Sequence, residues 1–209
     1  TPEQKAELEK RQAERQERAS RSGQLAAQAR AEAEAHPQLA LLLGVEALRV
    51  TLDAGFTTVR NLGLMVKTGG YLLDVALQRA IDQGWHVGPR IWPAGHAVTP
   101  YGGHLDPMVF QRLAPGIMPL SVAEGIANGV PDVIACVRYQ IRHGAKLIKV
   151  SASGGVMSHS TAPGAQQYSD AEFAAIADEA HRAGVKVAAH AVGDRAIQAC
   201  IRAGIDCIE

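Results

Sequence analysis

The chain is poor in the features that assign a function most quickly. Its three cysteines, Cys136, Cys200 and Cys207, stand far apart with no Cys-x-x-Cys pair, so neither a disulfide framework nor a thiolate metal site is encoded. Scattered thiols in odd number fit a reducing compartment, and a cytoplasmic location is expected. Neither sign of charge is in excess: 21 Lys and Arg balance 21 Asp and Glu, which leaves no basic surface for nucleic acid or an anionic membrane. No apolar run reaches the length that crosses a bilayer, and the amino end is charged rather than apolar, so no secretory signal is expected. Aromatic residues make up only 4%, while alanine and glycine abound, which suits close packing of helices on a sheet. No His-x-His pair occurs anywhere. A chain that opens on Thr1 is expected to be processed or to be a piece of something longer.

What is present divides into two compositions. Residues 1 to about 50 are dense in Glu, Gln, Lys, Arg and Ala, and only Gly23 interrupts this run before Arg30. Glu7 with Arg11 and Glu14 with Arg18 are acid-before-base pairs at i,i+4, a spacing that supports a solvated helix. Almost no apolar stripe runs through roughly the first twenty residues, so this helix is expected to project into solvent or join a coiled coil. His36-Pro37 predicts a break, because the residue before proline avoids helix. A second, strongly apolar helix is predicted from about Gln38, carrying Leu39, Leu41, Leu42, Leu43, Val45 and Leu48. The stretch 1–50 therefore reads as a helical extension through which copies of the chain would associate.

From Thr51 onward strand and helix patterns alternate, the signature of βα units on a parallel sheet. Strands are predicted at Thr57–Asn61, Arg90–Ala94, Lys146–Ala152, Lys186–Ala191 and Ile205–Glu209. Helices are predicted at Tyr71–Gln83, from Pro131 to His143, from a Ser169–Glu172 capping box to Gly184, and at Asp194–Arg202. Long loops follow the strands, at His96–Gly129 and Gly154–Gln167, which places function on one face. The fold class is α/β. The stretch 51–209 reads as an incomplete (β/α)8 TIM barrel with about five of its eight strands, the rest expected to be missing.

Chemistry gathers at two strand ends. Lys149 lies in the otherwise apolar run Leu147-Ile148-Lys149-Val150, and His190 ends Val187-Ala188-Ala189-His190. Strand ends of a barrel deliver side chains into one mouth. A lysine buried there must be paired or neutral, and three readings follow. It is a structural lysine that meets a carboxylate. Alternatively it is a Schiff-base lysine of an aldolase-type lyase, with Ser153-Gly154-Gly155 cradling a phosphate. Or it is a carboxylated lysine whose carbamate oxygens bridge divalent metals. A histidine ending the neighbouring strand favours the third.

Several segments together resemble the amidohydrolase superfamily, in the branch of imidazolonepropionase-like enzymes and Xaa-Pro dipeptidases. They are Ala54-Gly55-Phe56-Thr57-Thr58-Val59-Arg60, Gly88-Pro89-Arg90-Ile91, Gly102-Gly103-His104, the Lys149 segment, Gln167-Tyr168-Ser169 and the His190 segment. The resemblance covers about 51–209 and implies the second to sixth strands of that barrel. It implies a divalent metal, zinc, as one or two ions, with Lys149 and His190 as metal ligands. It implies that His104 and Tyr168 contact a small-molecule or dipeptide substrate, whose amide or peptide-like C–N bond is hydrolysed. The first-strand His-x-His and the eighth-strand aspartate of that family have no counterpart, so this chain is expected to be an inactive fragment. Asn61 stands where the family more usually has aspartate, and His159 where it often has proline; the latter is read as facing solvent. His86, His143 and His181 sit at helix ends, where they complement the helix dipole. The alternative to an enzyme is a helical interaction element fused to a barrel remnant.

Overall fold

A charged helix with little apolar surface is stabilised by whatever polar groups meet it, and α1 (Pro2–Glu32) meets a second helix, α2 (Pro37–Asp53). The computed structural model describes residues 2–32, 37–63, 72–108, 120–156 and 162–209. Ser22 Oγ donates to the Ala47 carbonyl at 2.9 Å, and Arg18 Nη1 donates to the Asp53 carbonyl at 3.1 Å. Earlier positions of α1 meet later positions of α2, so the helices run antiparallel. Residues 5–18 are exposed, as expected, and from Arg18 and Ser22 onward α1 lies along α2. Ser22 is the reason, since its short side chain lets the backbones close and its hydroxyl finds an acceptor. Glu7 and Arg11 pair at 2.9 Å as expected, while Arg18 turns to α2. The predicted break falls on residues 33–36, outside the described residues, and Pro37 opens α2 at the position where proline suits a helix start.

The described residues form two units, Thr1–Arg60 with Ala76–Ile91, and Asn61–Val75 with Trp92–Glu209. In the first, α2 buries Ala47 and Val50, and Ala54 just past its end is buried on the same spacing. It packs on α3 (Leu73–Asp82), where a methyl on Gly44 would lie 3.2 Å from Leu77. Strands β1 (Thr58–Arg60) and β2 (Arg90–Trp92) pair beside them, with Arg90 N donating to Thr57 O at 3.0 Å. Helix α3 starts two residues later than the sequence predicts, and Tyr71 lies outside the described residues. Gly84 follows α3 at φ +72°, the left-handed turn that ends a helix.

The second unit is a parallel sheet under helices. Strands β3 (Leu147–Ser151), β4 (Lys186–His190) and β5 (Cys207–Ile208) lie side by side in that order. Leu147 to Ser151 align with Lys186 to His190, and Ala188 and Ala189 with Cys207 and Ile208. Every residue of β3 is buried, which is why its pattern is continuous rather than alternating. Helices α4 (Gly129–His143), α5 (Asp170–Arg182) and α6 (Asp194–Arg202) supply the covering layer. Val133, Val137, Ile148, Val150, Phe173 and Ile176 form its inaccessible centre. Ser169 and Glu172 make the predicted capping box on α5.

One expectation changes. The sequence predicts a loop from His96, yet Val98 N donates to Lys149 O at 2.7 Å and Ser151 N to Val98 O at 2.9 Å. Val98 thus pairs in parallel with Val150, and a further extended segment flanks β3. Gly95 and Pro100 on either side hid the strand pattern. Farther along, Val122–Glu124 form one 3-10 turn capped by Ser121, and residues 109–119 lie outside the described residues.

Below the sheet, Asp206 accepts from Val187 N at 2.9 Å and from His181 Nε2 at 2.8 Å. His181 therefore has an acid partner as well as a helix end. Burial alone would push the Asp206 carboxyl up, but these hydrogen bonds and the nearby Lys186 outweigh it and hold the carboxyl below its ordinary range. A carboxyl depressed in the folded state stabilises above its unfolded value, about 3.9, and the gain disappears as pH falls through the folded value. Urea unfolding between pH 7 and pH 3 should show stability falling at the acid end, and Asp206→Asn should flatten that limb.

Candidate functional site

Three adjacent strands bring three polar side chains to one place. Lys149 sits in the middle of β3 at 4% exposure, and its Nζ donates to Glu209 Oε2 in a close ion pair. Glu209 follows β5 and is fixed by its own backbone, since its N–H donates to Ala189 O at 2.8 Å and its carbonyl accepts from Ala191 N at 3.1 Å. His190 closes β4 opposite Ser151. The sequence reading missed Glu209 as the partner of Lys149; the available signal was an acidic residue directly after the fifth strand.

His104 reaches the same place from the loop that follows the Val98 segment. Its ring stacks on His190 with centroids 4.1 Å apart and planes at 30°. Burial, then the Lys149 charge, lowers its pKa. His190 is lowered further, to about 4, by burial first and then by His104 and Lys149, with Glu209 opposing. Both rings are thus neutral near pH 7, the form in which imidazole offers a lone pair. His190 Nε2 is buried and has no hydrogen-bond partner. A buried nitrogen of this kind costs free energy unless something accepts or binds it.

Tyr168 is placed differently. It is 2% exposed, its hydroxyl donates to Ala127 O at 3.0 Å, its ring meets Phe173 edge-on, and burial pushes its phenol pKa up. It is among the residues lining a cleft of about 650 Å³ between residues 164–169 and the start of α6 at Asp194 and Arg195. For the hydroxyl to donate to a substrate oxygen it would have to leave Ala127, since it has one hydrogen to give.

Asn61 donates to Asp74 Oδ2 at 2.8 Å, so the amide that replaces the family's more usual aspartate faces a carboxylate already present. His143 stacks on Tyr139 at 4.2 Å, and His159 lies outside the described residues. The geometry does not favour the aldolase alternative. Lys149 Nζ is held by Glu209, as in the first of the three readings, and an imine, like a carbamate, would form only once that pair opened. Nor do the turn's first two amides face a phosphate, because Ser153 N donates to His190 O and Gly154 N to Ala165 O.

The amidohydrolase family model matches residues 31–209. The chain belongs to the amidohydrolase family. Among curated proteins it is similar to ochratoxinase of Aspergillus niger, 39% identical over 170 aligned positions that make up 76% of this chain and 33% of that protein. Among solved structures it is similar to a Xaa-Pro dipeptidase with bound methionine in the active site, at 33% identity and TM-score 0.74 over 82% of this chain and 41% of that one. It is also similar to a prolidase complexed with N-methylphosphonate-L-proline, at 34% identity and TM-score 0.69 over 86% of this chain and 43% of that one. The chain spans about a third of the length of the curated relatives it matches.

The donors fit a divalent metal in part. His190 Nε2 is the buried, unpartnered nitrogen expected of an imidazole ligand. Among the described residues, however, no three His, Cys, Asp or Glu side chains converge on one point, and a catalytic zinc takes three protein ligands. No helix among the described residues is long and apolar enough to cross a membrane.

Proposed function

We propose that the whole protein hydrolyses amide or peptide-like C–N bonds with a divalent metal, zinc as one or two ions, and that residues 51–209 supply the second to sixth strands of its barrel. Residues 1–50 are the proposed helical extension. The observation that carries this reading is His190 Nε2, buried and unpartnered beside Lys149 and His104. His190 and, once carboxylated, Lys149 would hold the metal. Bound there, a metal would polarise the scissile carbonyl and activate water. His104, neutral and stacked over His190, would shield the site from solvent and present its ring to the substrate, with Tyr168 on the cleft wall. A dipeptide ending in proline is the proposed substrate, because similar solved structures include a Xaa-Pro dipeptidase and a prolidase. An interaction element on a barrel remnant gains no support from any contact described above.

The test is metal content by elemental analysis together with dipeptide hydrolysis. His190→Ala in the whole enzyme should lose metal and lower turnover by at least ~10²-fold, since even outer partners of metal ligands cost about 10–100-fold. Unchanged loading and turnover would refute the assignment. The 209-residue polypeptide alone is expected to retain no stoichiometric metal and to be inactive, because too few donors converge among its described residues. One or two zinc ions per chain, lost on Lys149→Ala, would overturn that expectation.

A further inference from the structure

His104 lies in the loop after the Val98 segment, and its ring stacks on His190. Gln167 links that loop to the strand beside His190. Its backbone is fixed first: Gln167 N donates to Ala152 O at 3.0 Å, and Gly164 N to Gly154 O at 2.8 Å, folding residues 164–167 back onto the end of β3. From that anchored position its side-chain oxygen accepts from Ser151 Oγ at 2.6 Å and from His104 N at 3.2 Å. Ser151 belongs to β3 and is aligned with His190. One amide oxygen therefore joins the His104 loop to the strand beside His190.

Gly155 completes the seat. A Cβ built on it would collide with the His104 ring, so the imidazole lies directly against this backbone on one side and is stacked on His190 at 4.1 Å. Such a ring has little freedom while its own backbone N–H is held.

We propose that Gln167 is a positioning residue, whose side-chain oxygen takes the hydroxyl of Ser151 and the backbone N–H of His104 together and so sets the His104 ring on His190. Its functional consequence rests on the hydrolase reading above, where His104 presents its ring to substrate; its structural content does not. Gln167 touches no reacting atom and acts through His104.

Proton NMR of the imidazole rings in the full chain tests this without turnover or metal. Stacked rings shift each other's protons upfield, and that shift reports the geometry directly. Gln167→Leu, which fills the same space without an acceptor, should lose the shift for both His104 and His190 while far-UV circular dichroism stays native. Gln167→Glu keeps an acceptor for both donors and should retain the shift, a rescue that a space-filling role would not produce. Gln167→Ala carries the same expectation as leucine and replaces it if the leucine variant does not fold. Retention of the shift in the leucine or alanine variant overturns the proposal, and so does its loss in all three. Either result leaves the hydrolase reading to be judged by metal content and dipeptide cleavage.

Discussion

Asp74→Ala should destabilise the second unit by about 3–5 kcal/mol, read as a fall in the denaturant midpoint and as faster hydrogen exchange at the amides of Ala94 and Gly95. Asp74 is only 6% exposed and accepts four hydrogen bonds. Its Oδ2 takes Asn61 Nδ2 and Ala94 N at 2.8 Å and Gly95 N at 2.9 Å, and its Oδ1 takes Val75 N at 2.9 Å. Alanine strands these donors, and each buried donor left unpaired costs about 1–3 kcal/mol. Water entering the vacated space would satisfy some of them, so the expected total lies below the plain sum. The same geometry explains Asn61. An aspartate there would set two carboxylates at hydrogen-bond distance, which is tolerated only if one is protonated. Asn61→Asp should therefore destabilise as well, and most strongly at neutral pH. If Asp74→Ala leaves the midpoint and the two amides unchanged, this carboxylate does not hold the Ala94–Gly95 turn.

Lys149→Met should cost about 2–3 kcal/mol. Removing one member of a fully buried ion pair costs about 3–5 kcal/mol, because the other charge remains without compensation. Lys149 is nearly inaccessible, but the Glu209 side chain keeps 17% exposure, so water can partly solvate the abandoned carboxylate and the loss is smaller. Replacing both residues by methionine should recover most of it, since desolvating two charges offsets much of their attraction. Urea midpoints of the two single variants and the double variant give the coupling directly. Additive losses would mean that the pair contributes nothing to stability. This expectation bears on the metal measurement: a Lys149 variant that fails to retain metal is informative only when its midpoint shows that it is folded.

Much of the second unit was legible because its signals are local. Ser169 and Glu172 cap α5 as a pair three residues apart, Gly144 and Gly84 end helices in left-handed turns, and the apolar runs around Lys149 and His190 form adjacent strands. These features depend on hydrogen bonds and side-chain periods within a few residues, which the sequence displays openly. The Val98 segment was missed for the same reason: glycine and proline mark a local turn, and what keeps the segment extended is pairing with β3, fifty residues away.

Lys149 and His190 were likewise visible as polar residues in apolar runs, although Lys149 lies in the middle of β3 rather than at its end and only His190 closes its strand. By itself the sequence determined the βα alternation, the caps and that pair of polar residues on neighbouring strands. Only tertiary structure decided that Glu209 holds Lys149, that His104 stacks on His190 through Gln167, and that the Tyr168 hydroxyl is bound to Ala127. Each of these contacts joins residues about 40 or more positions apart, by geometry that exists only after strands and loops have packed, and no local period encodes it.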